Sequence, residues 1–171
     1  INGVRLNLEL ARKRVLQDSI DDWFHDPLNY IDLSNEDFLF EYFEKFFERA
    51  EYVASRAEIF YLPKKSFTLR KAMVITYADR VYYSALVEVL GNRLDSALDP
   101  MIFSARYNQL FEGGIIISGV EQWKKMRYML KDLSSMYKYV IEIDILNFYD
   151  NIDIELLCNK ISAVCLSRNE N

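Results

Sequence analysis

Apolar residues recur at helical spacing through the first third of the chain. Over residues 4–17, Leu6 and Leu10 lie on related faces with Arg14 and Val15, a weak amphipathic pattern that predicts a first helix. The run HDPLN (25–29) breaks whatever precedes it, because Pro27 disfavours helix for Asp26. Ser34 then stands as a helix cap, with Asp37 three residues on in near capping-box spacing. Leu39, Phe43, Phe46, Ala50, Val53, Ala57 and Phe60 follow in strict four-three order, while Glu41, Glu44, Glu48 and Glu51 hold another face. This predicts one long helix, ended by Pro63, whose aromatic stripe packs on its own domain or serves as a partner-binding seam.

The pattern changes after Pro63. SFTLRKAMVIT (66–76) alternates and is rich in β-branched residues, as a strand or hairpin requires. Asp79 is placed to cap a helix running through Val81, Ala85, Leu86, Val89, Leu90 and Leu94 to about Ala97, stopped by Asp99 and Pro100. Glu112, Gly113 and Gly114 form a turn signal before a short strand, IIIS (115–118). A helix is predicted from Val120 to about Ser135 with Trp123, Met126, Leu130 and Leu133 as its apolar stripe, then a strand from Lys138 to Ile143 and a helix from Ile154 to about Leu166. The fold class read from this order is α+β, mostly helical.

Composition narrows the picture. With 171 residues, 51% apolar and 15% aromatic, and only 5 Gly and 3 Pro, the chain can bury a core and has no signature of disorder. No apolar run is long enough to span a bilayer and no targeting segment opens the chain, so a cytoplasmic protein without a membrane partner is expected. Cys158 and Cys165 have no ligand partners at metal spacing and read as reduced core thiols. The single histidine, His25, reads as a loop residue. The chain opens on Ile1 without Met and closes on a polar run, as expected of a piece of something longer.

The net charge of −5 is unevenly spread. From Asp18 to Glu58 there are 12 acidic and 3 basic residues, so the remainder is basic overall. Lys64, Lys65, Arg70, Lys71 and Arg80 cluster against Asp79, and Lys124, Lys125, Arg127, Lys131 and Lys138 against Asp132. Either patch could meet phosphate or simply solvate a helix face.

The stretch IEIDILNFYDNID (141–153) places Glu142, Asp144, Asp150 and Asp153 in a strand-like apolar run. Buried carboxylates are costly unless paired or metal-bound. Asp144 ends the expected strand next to the Ile145 carbonyl, where hard oxygen donors suit Mg²⁺; a turn or cap role is the competing reading. Asp150 and Asp153 are expected to cap the following helix.

Together, YVIEIDILNFYDNID (139–153), LPKKSFTLR (62–70), ADRVYYSALV (78–87) and FSARY (103–107) resemble, in order and spacing, the fingers motifs and motif A of reverse transcriptases, closest to the bacterial abortive-infection and defence-associated group. The resemblance covers roughly residues 60–157. It implies a helical extension over 1–61, and fingers with the first part of a palm over 62–171. It further implies that Asp144 and the Ile145 carbonyl hold catalytic Mg²⁺ and that Tyr149 lies under the incoming sugar and excludes a 2′-hydroxyl. By the same resemblance the amides of Asn147 and Phe148 approach the triphosphate, and Lys64 or Lys65, with Arg70, clamps its phosphates. Arg80 and Arg106 either hold template or buttress the fold by ion pairs. The implied partners are an RNA template, a DNA primer or product, and dNTPs, with a homo-oligomer left open.

The chain departs from that family in having no Asp pair after Asp144; its one Asp-Asp, Asp21 and Asp22, lies far upstream. An N-terminal fragment, inactive alone, is therefore expected. The alternatives are a non-catalytic scaffold that binds RNA or protein through the basic patches, and a helical interaction module built on the 39–60 stripe.

Overall fold

The computed structural model describes residues 6–19, 35, 37, 41, 52–63, 68–110 and 112–166. Among them are four α-helices of eight residues or more and one two-stranded antiparallel sheet, an α+β arrangement. The chain divides into two compact units, one comprising residues 1–89 with 111–113 and the other 90–110 with 114–171.

Helix α1 (Leu8–Asp18) starts where Asn7 Oδ1 accepts the Leu10 amide at 3.0 Å, satisfying one of the orphan donors of the first turn. Its Ala11 and Val15, four apart, join Val81 and Ala85, also four apart, in the buried core of the first unit. Helix α2 (Tyr77–Ser96) supplies the second pair, and Leu6, Leu8, Leu16, Tyr52, Tyr77, Ala78 and Tyr82 close around them. The placement of Arg14 on the Val15 face is realised: Arg14 is buried, its Nε 2.5 Å from Glu88 Oε1 in a charge contact not aligned as a hydrogen bond. Such a pair is tolerated inside because each charge compensates the other.

Strands β1 (Glu58–Pro63) and β2 (Leu69–Val74) form the hairpin, with Glu58 opposite Val74 and Leu62 opposite Arg70. This corrects the long helix predicted to run to Phe60. Residues 52–57 are not helical, Val53 is 75% exposed, and Phe60 belongs to a strand. Ile59, Phe60 and Tyr61 favour a pleated surface, and β2 offers a ladder partner that a four-three count along one segment does not see. Leu39, Phe43, Phe46 and Ala50, like Ser34 and His25, lie outside the described residues.

At the start of α2, Thr76 caps in place of Asp79: its hydroxyl meets the Asp79 amide at 3.3 Å and its carbonyl accepts the Arg80 amide at 2.9 Å. Asp79 is the third helical residue, as in a Thr-x-x-Asp capping box. After α2, the Asp99 side chain accepts the Met101 amide at 2.7 Å in an Asx turn.

The predicted IIIS strand reduces to a single antiparallel bridge, Tyr107 with Ile116, held by Asn108 N–H to Ile115 O and Ile117 N–H to Arg106 O, both 2.9 Å. The turn before it is as read, Gly113 taking φ 79°, a left-handed conformation that glycine adopts without steric cost. Helices α3 (Gly119–Met136) and α4 (Ile154–Leu166) match their predicted ranges. The packed side of α3 is rotated from the predicted stripe, however. Gln122 is buried and Met126, Met129 and Leu133 are half-buried, whereas Trp123 and Leu130 are exposed. Cys158 is exposed and Cys165 half-buried, so neither is a core thiol.

The strand expected over Lys138–Ile143 is not formed. No described strand lies beside these residues, and Tyr139, Val140, Ile141 and Ile143 are 77–85% exposed. Alternation supplies the side-chain pattern of a strand, but a ladder needs a second backbone to accept and donate.

Candidate functional site

The motif around Asp144 is an exposed extended segment that enters a tight turn in the second unit. Asp144 and Glu142 are solvent-exposed, as are Ile145 at 64% and Leu146 at 83%. Asn147 then takes a left-handed conformation, φ 50°, and Phe148 a right-handed helical one, φ −47° and ψ −52°. Asparagine is among the few residues besides glycine that accept the left-handed region. The Asn147 carbonyl is used twice, accepting the Asp150 amide at 3.1 Å and the Asn151 Nδ2 at 2.9 Å, and these bonds pin a short 3₁₀ turn, Tyr149–Asn151. Among the described residues no acceptor meets the amides of Asn147 or Phe148. Tyr149 is 87% exposed, its ring edge-on to Phe148 with centroids 5.2 Å apart.

The two downstream carboxylates part ways. Asp153 caps α4, its Oδ1 accepting the Leu156 amide at 2.9 Å. Asp150 makes no cap; it sits in the first turn of the 3₁₀ segment.

Asp144, Ile145, Asn147, Phe148 and Tyr149 thus share one exposed turn. Arg70 and Arg80 belong to the other unit: Arg70 is exposed on β2, and the Arg80 guanidinium lies 5.6 Å from the Tyr77 ring centroid. Lys64 and Lys65 lie outside the described residues.

For Arg106 the structure realises the buttress. Its Nε donates to Asp95 Oδ1 at 2.8 Å and Nη2 to Asp95 Oδ2 at 2.9 Å and to the Asp95 carbonyl at 3.3 Å. Nη1 donates to the carbonyls of Asp99 at 3.2 Å and Ile102 at 3.3 Å. A guanidinium has five N–H donors, and all five are engaged, so none is left for a template phosphate. Asp95 is fixed in turn by the Tyr107 amide at 2.9 Å. The hydrogen bonds from Arg106 hold the Asp95 carboxyl below its ordinary value despite burial, and Asp95 raises Arg106.

A second carboxylate missed in the sequence as a hub is Asp79. It is buried and accepts from the Tyr52 hydroxyl at 2.5 Å, the Thr76 hydroxyl at 2.6 Å and the Ser55 amide at 3.2 Å. Burial pushes its carboxyl up, but the bonds from Thr76, Tyr52 and Ser55 together outweigh that and hold it below the ordinary carboxylate value. The Thr-x-x-Asp spacing was the available signal; the contribution of Tyr52, 27 residues away, had none.

Among the described residues no three His, Cys, Asp or Glu side chains converge as a metal cluster, and no helix is long and apolar enough to cross a membrane. Compared with protein-family models, curated proteins and solved structures, the chain finds no match.

Proposed function

We propose that the chain is the fingers and first part of the palm of an RNA-directed DNA polymerase of the bacterial antiphage-defence kind, with Asp144 as its first metal-binding carboxylate. The observation that carries this reading is the turn behind Asp144. A left-handed residue followed by a right-handed one makes successive amides converge on an anion-binding concavity, and the amides of Asn147 and Phe148 stand open there. An exposed carboxylate, an adjacent carbonyl and an amide nest form a donor set suited to a magnesium-bound triphosphate.

The Asp144 carboxylate and the Ile145 carbonyl would hold Mg²⁺, which takes one or two carboxylates together with substrate phosphates and water. The ion, when bound, would activate the attacking hydroxyl and neutralise charge developing on the phosphates. The amides of Asn147 and Phe148 would orient the triphosphate, and Tyr149 would occupy the space a 2′-hydroxyl needs. The second carboxylate pair that such chemistry needs is proposed to lie outside these 171 residues.

The test is primer extension with dNTPs and Mg²⁺ on an RNA template by the protein as its host makes it, wild type against Asp144→Ala. Synthesis falling to background in a folded variant is expected, with ribonucleotides admitted by Tyr149→Ala. Synthesis unchanged by Asp144→Ala overturns the metal assignment. No synthesis by the wild type, with or without template, favours the non-catalytic scaffold.

A further inference from the structure

Helix α3 carries an exposed face that the site around Asp144 does not use. At 3.6 residues per turn, buried Gln122 and half-buried Met126, Met129 and Leu133 lie on one side. Away from them run two neighbouring rows of residues four apart, Trp123, Arg127 and Lys131 beside Val120, Lys124 and Tyr128. All six are exposed, Trp123 by 54% and Tyr128 by 71%. The Arg127 guanidinium lies 5.1 Å from the Trp123 ring centroid. None of the six is a carboxylate; Asp132 follows Tyr128 one turn on, and Glu121 lies on the flank that also carries Lys125. Among the described residues Lys124, Arg127 and Lys131 are in no ion pair.

Cations set beside exposed aromatic rings match one ligand chemistry in particular. Successive bases stack on rings while phosphates meet the cations between them, and each row extends about 12 Å at 1.5 Å per residue. A membrane-surface helix carries its cations at the flanks of an outward apolar face, and here Lys124, Arg127 and Lys131 stand in the middle of the outward face. We infer that the Trp123–Arg127–Lys131 row and its neighbour form a binding surface for single-stranded nucleic acid, distinct from the turn at Asp144. The choice of nucleic acid over an acidic protein rests in part on the polymerase reading; the surface itself does not.

The experiment is fluorescence anisotropy of the full 171-residue chain with labelled oligouridylate and oligothymidylate across a salt series. Arg127→Glu and Lys131→Glu are each expected to weaken binding about tenfold and to flatten the salt slope by about one phosphate contact. Trp123→Ala and Tyr128→Ala should each weaken it by about fivefold or more, with Tyr128→Phe close to wild type because the ring remains. Lys125→Glu is the charge-matched control on the other flank and should change binding less than about threefold. Circular dichroism establishes that each variant keeps its helix content. Equal losses from Lys125→Glu and Lys131→Glu, or wild-type binding by both aromatic variants, overturn the inference, since only diffuse charge would then be at work. Binding to polyglutamate or to anionic vesicles without binding to either oligonucleotide also overturns it. Because no catalysis is needed, failure of the Asp144 assignment and failure of this surface are separately visible.

Discussion

The Arg106 guanidinium and the Asp95 carboxylate meet in a two-point pair, Nε to Oδ1 at 2.8 Å and Nη2 to Oδ2 at 2.9 Å, which ties the chain after α2 back onto the helix. Removing the carboxylate leaves the guanidinium and the Tyr107 amide short of acceptors. Asp95→Ala is expected to lower unfolding stability by about 1–3 kcal/mol, measured by urea titration. Arg106→Lys should not restore wild-type stability, because an ammonium cannot reproduce the fork.

Asp95 and Asp79 give stability a defined pH dependence. Both carboxyls are held below their ordinary 3.8 in the folded state, so the unfolded chain binds more protons as pH falls. Their contribution is fully present above the unfolded value and is lost as pH drops through the folded one. The urea midpoint should therefore fall as pH is lowered from about 5 to about 3. In Asp95→Asn with Asp79→Asn this dependence should be shallower; an identical profile would refute the assignment.

Tyr52 and Asp79 are coupled across 27 residues of sequence. Tyr52→Phe should cost about 0.5–1.5 kcal/mol, since the ring keeps its stack on Tyr82 at 4.0 Å while the hydroxyl is lost. In a double-mutant cycle with Asp79→Ala, the double variant should be less destabilised than the sum of the singles. Additivity would mean the hydrogen bond contributes nothing.

Gly91 is required by Tyr107. A Cβ at position 91 would stand 2.5–2.8 Å from the Tyr107 ring. Gly→Ala inside a helix ordinarily stabilises by about 1 kcal/mol. Here overpacking opposes it, and Gly91→Ala should destabilise by about 1–3 kcal/mol in thermal unfolding. Combining it with Tyr107→Ala, which vacates the ring, should remove the added penalty.

Asp153 and Asp144, nine residues apart, should respond differently. Asp153→Ala removes the cap of α4 and is expected to cost about 1 kcal/mol. Asp144→Ala touches no described partner and should stay within about 0.5 kcal/mol of wild type. Equal losses in thermal denaturation would assign Asp144 a structural role.

Local interactions were legible in the sequence. The ranges of α3 and α4, the turn at Gly113, the β2 strand and the Asp153 cap each depend on residues within a few positions of one another, where propensity and capping chemistry act. What the sequence left open depended on distant partners. Phe60 reads equally as the end of a helical stripe and as a strand residue, and the hairpin with β2 decides. Arg106 reads equally as a template contact and a buttress until Asp95, 11 positions earlier, takes its fork. The run Lys138–Ile143 carries a strand's alternation without a described ladder partner, so pattern alone did not make it a strand. Trp123 lies on the predicted apolar stripe of α3, yet the helix packs through Gln122 and Met129 and leaves the indole exposed. Periodicity shows that a helix has an apolar side; which side is buried is decided by the surfaces it meets.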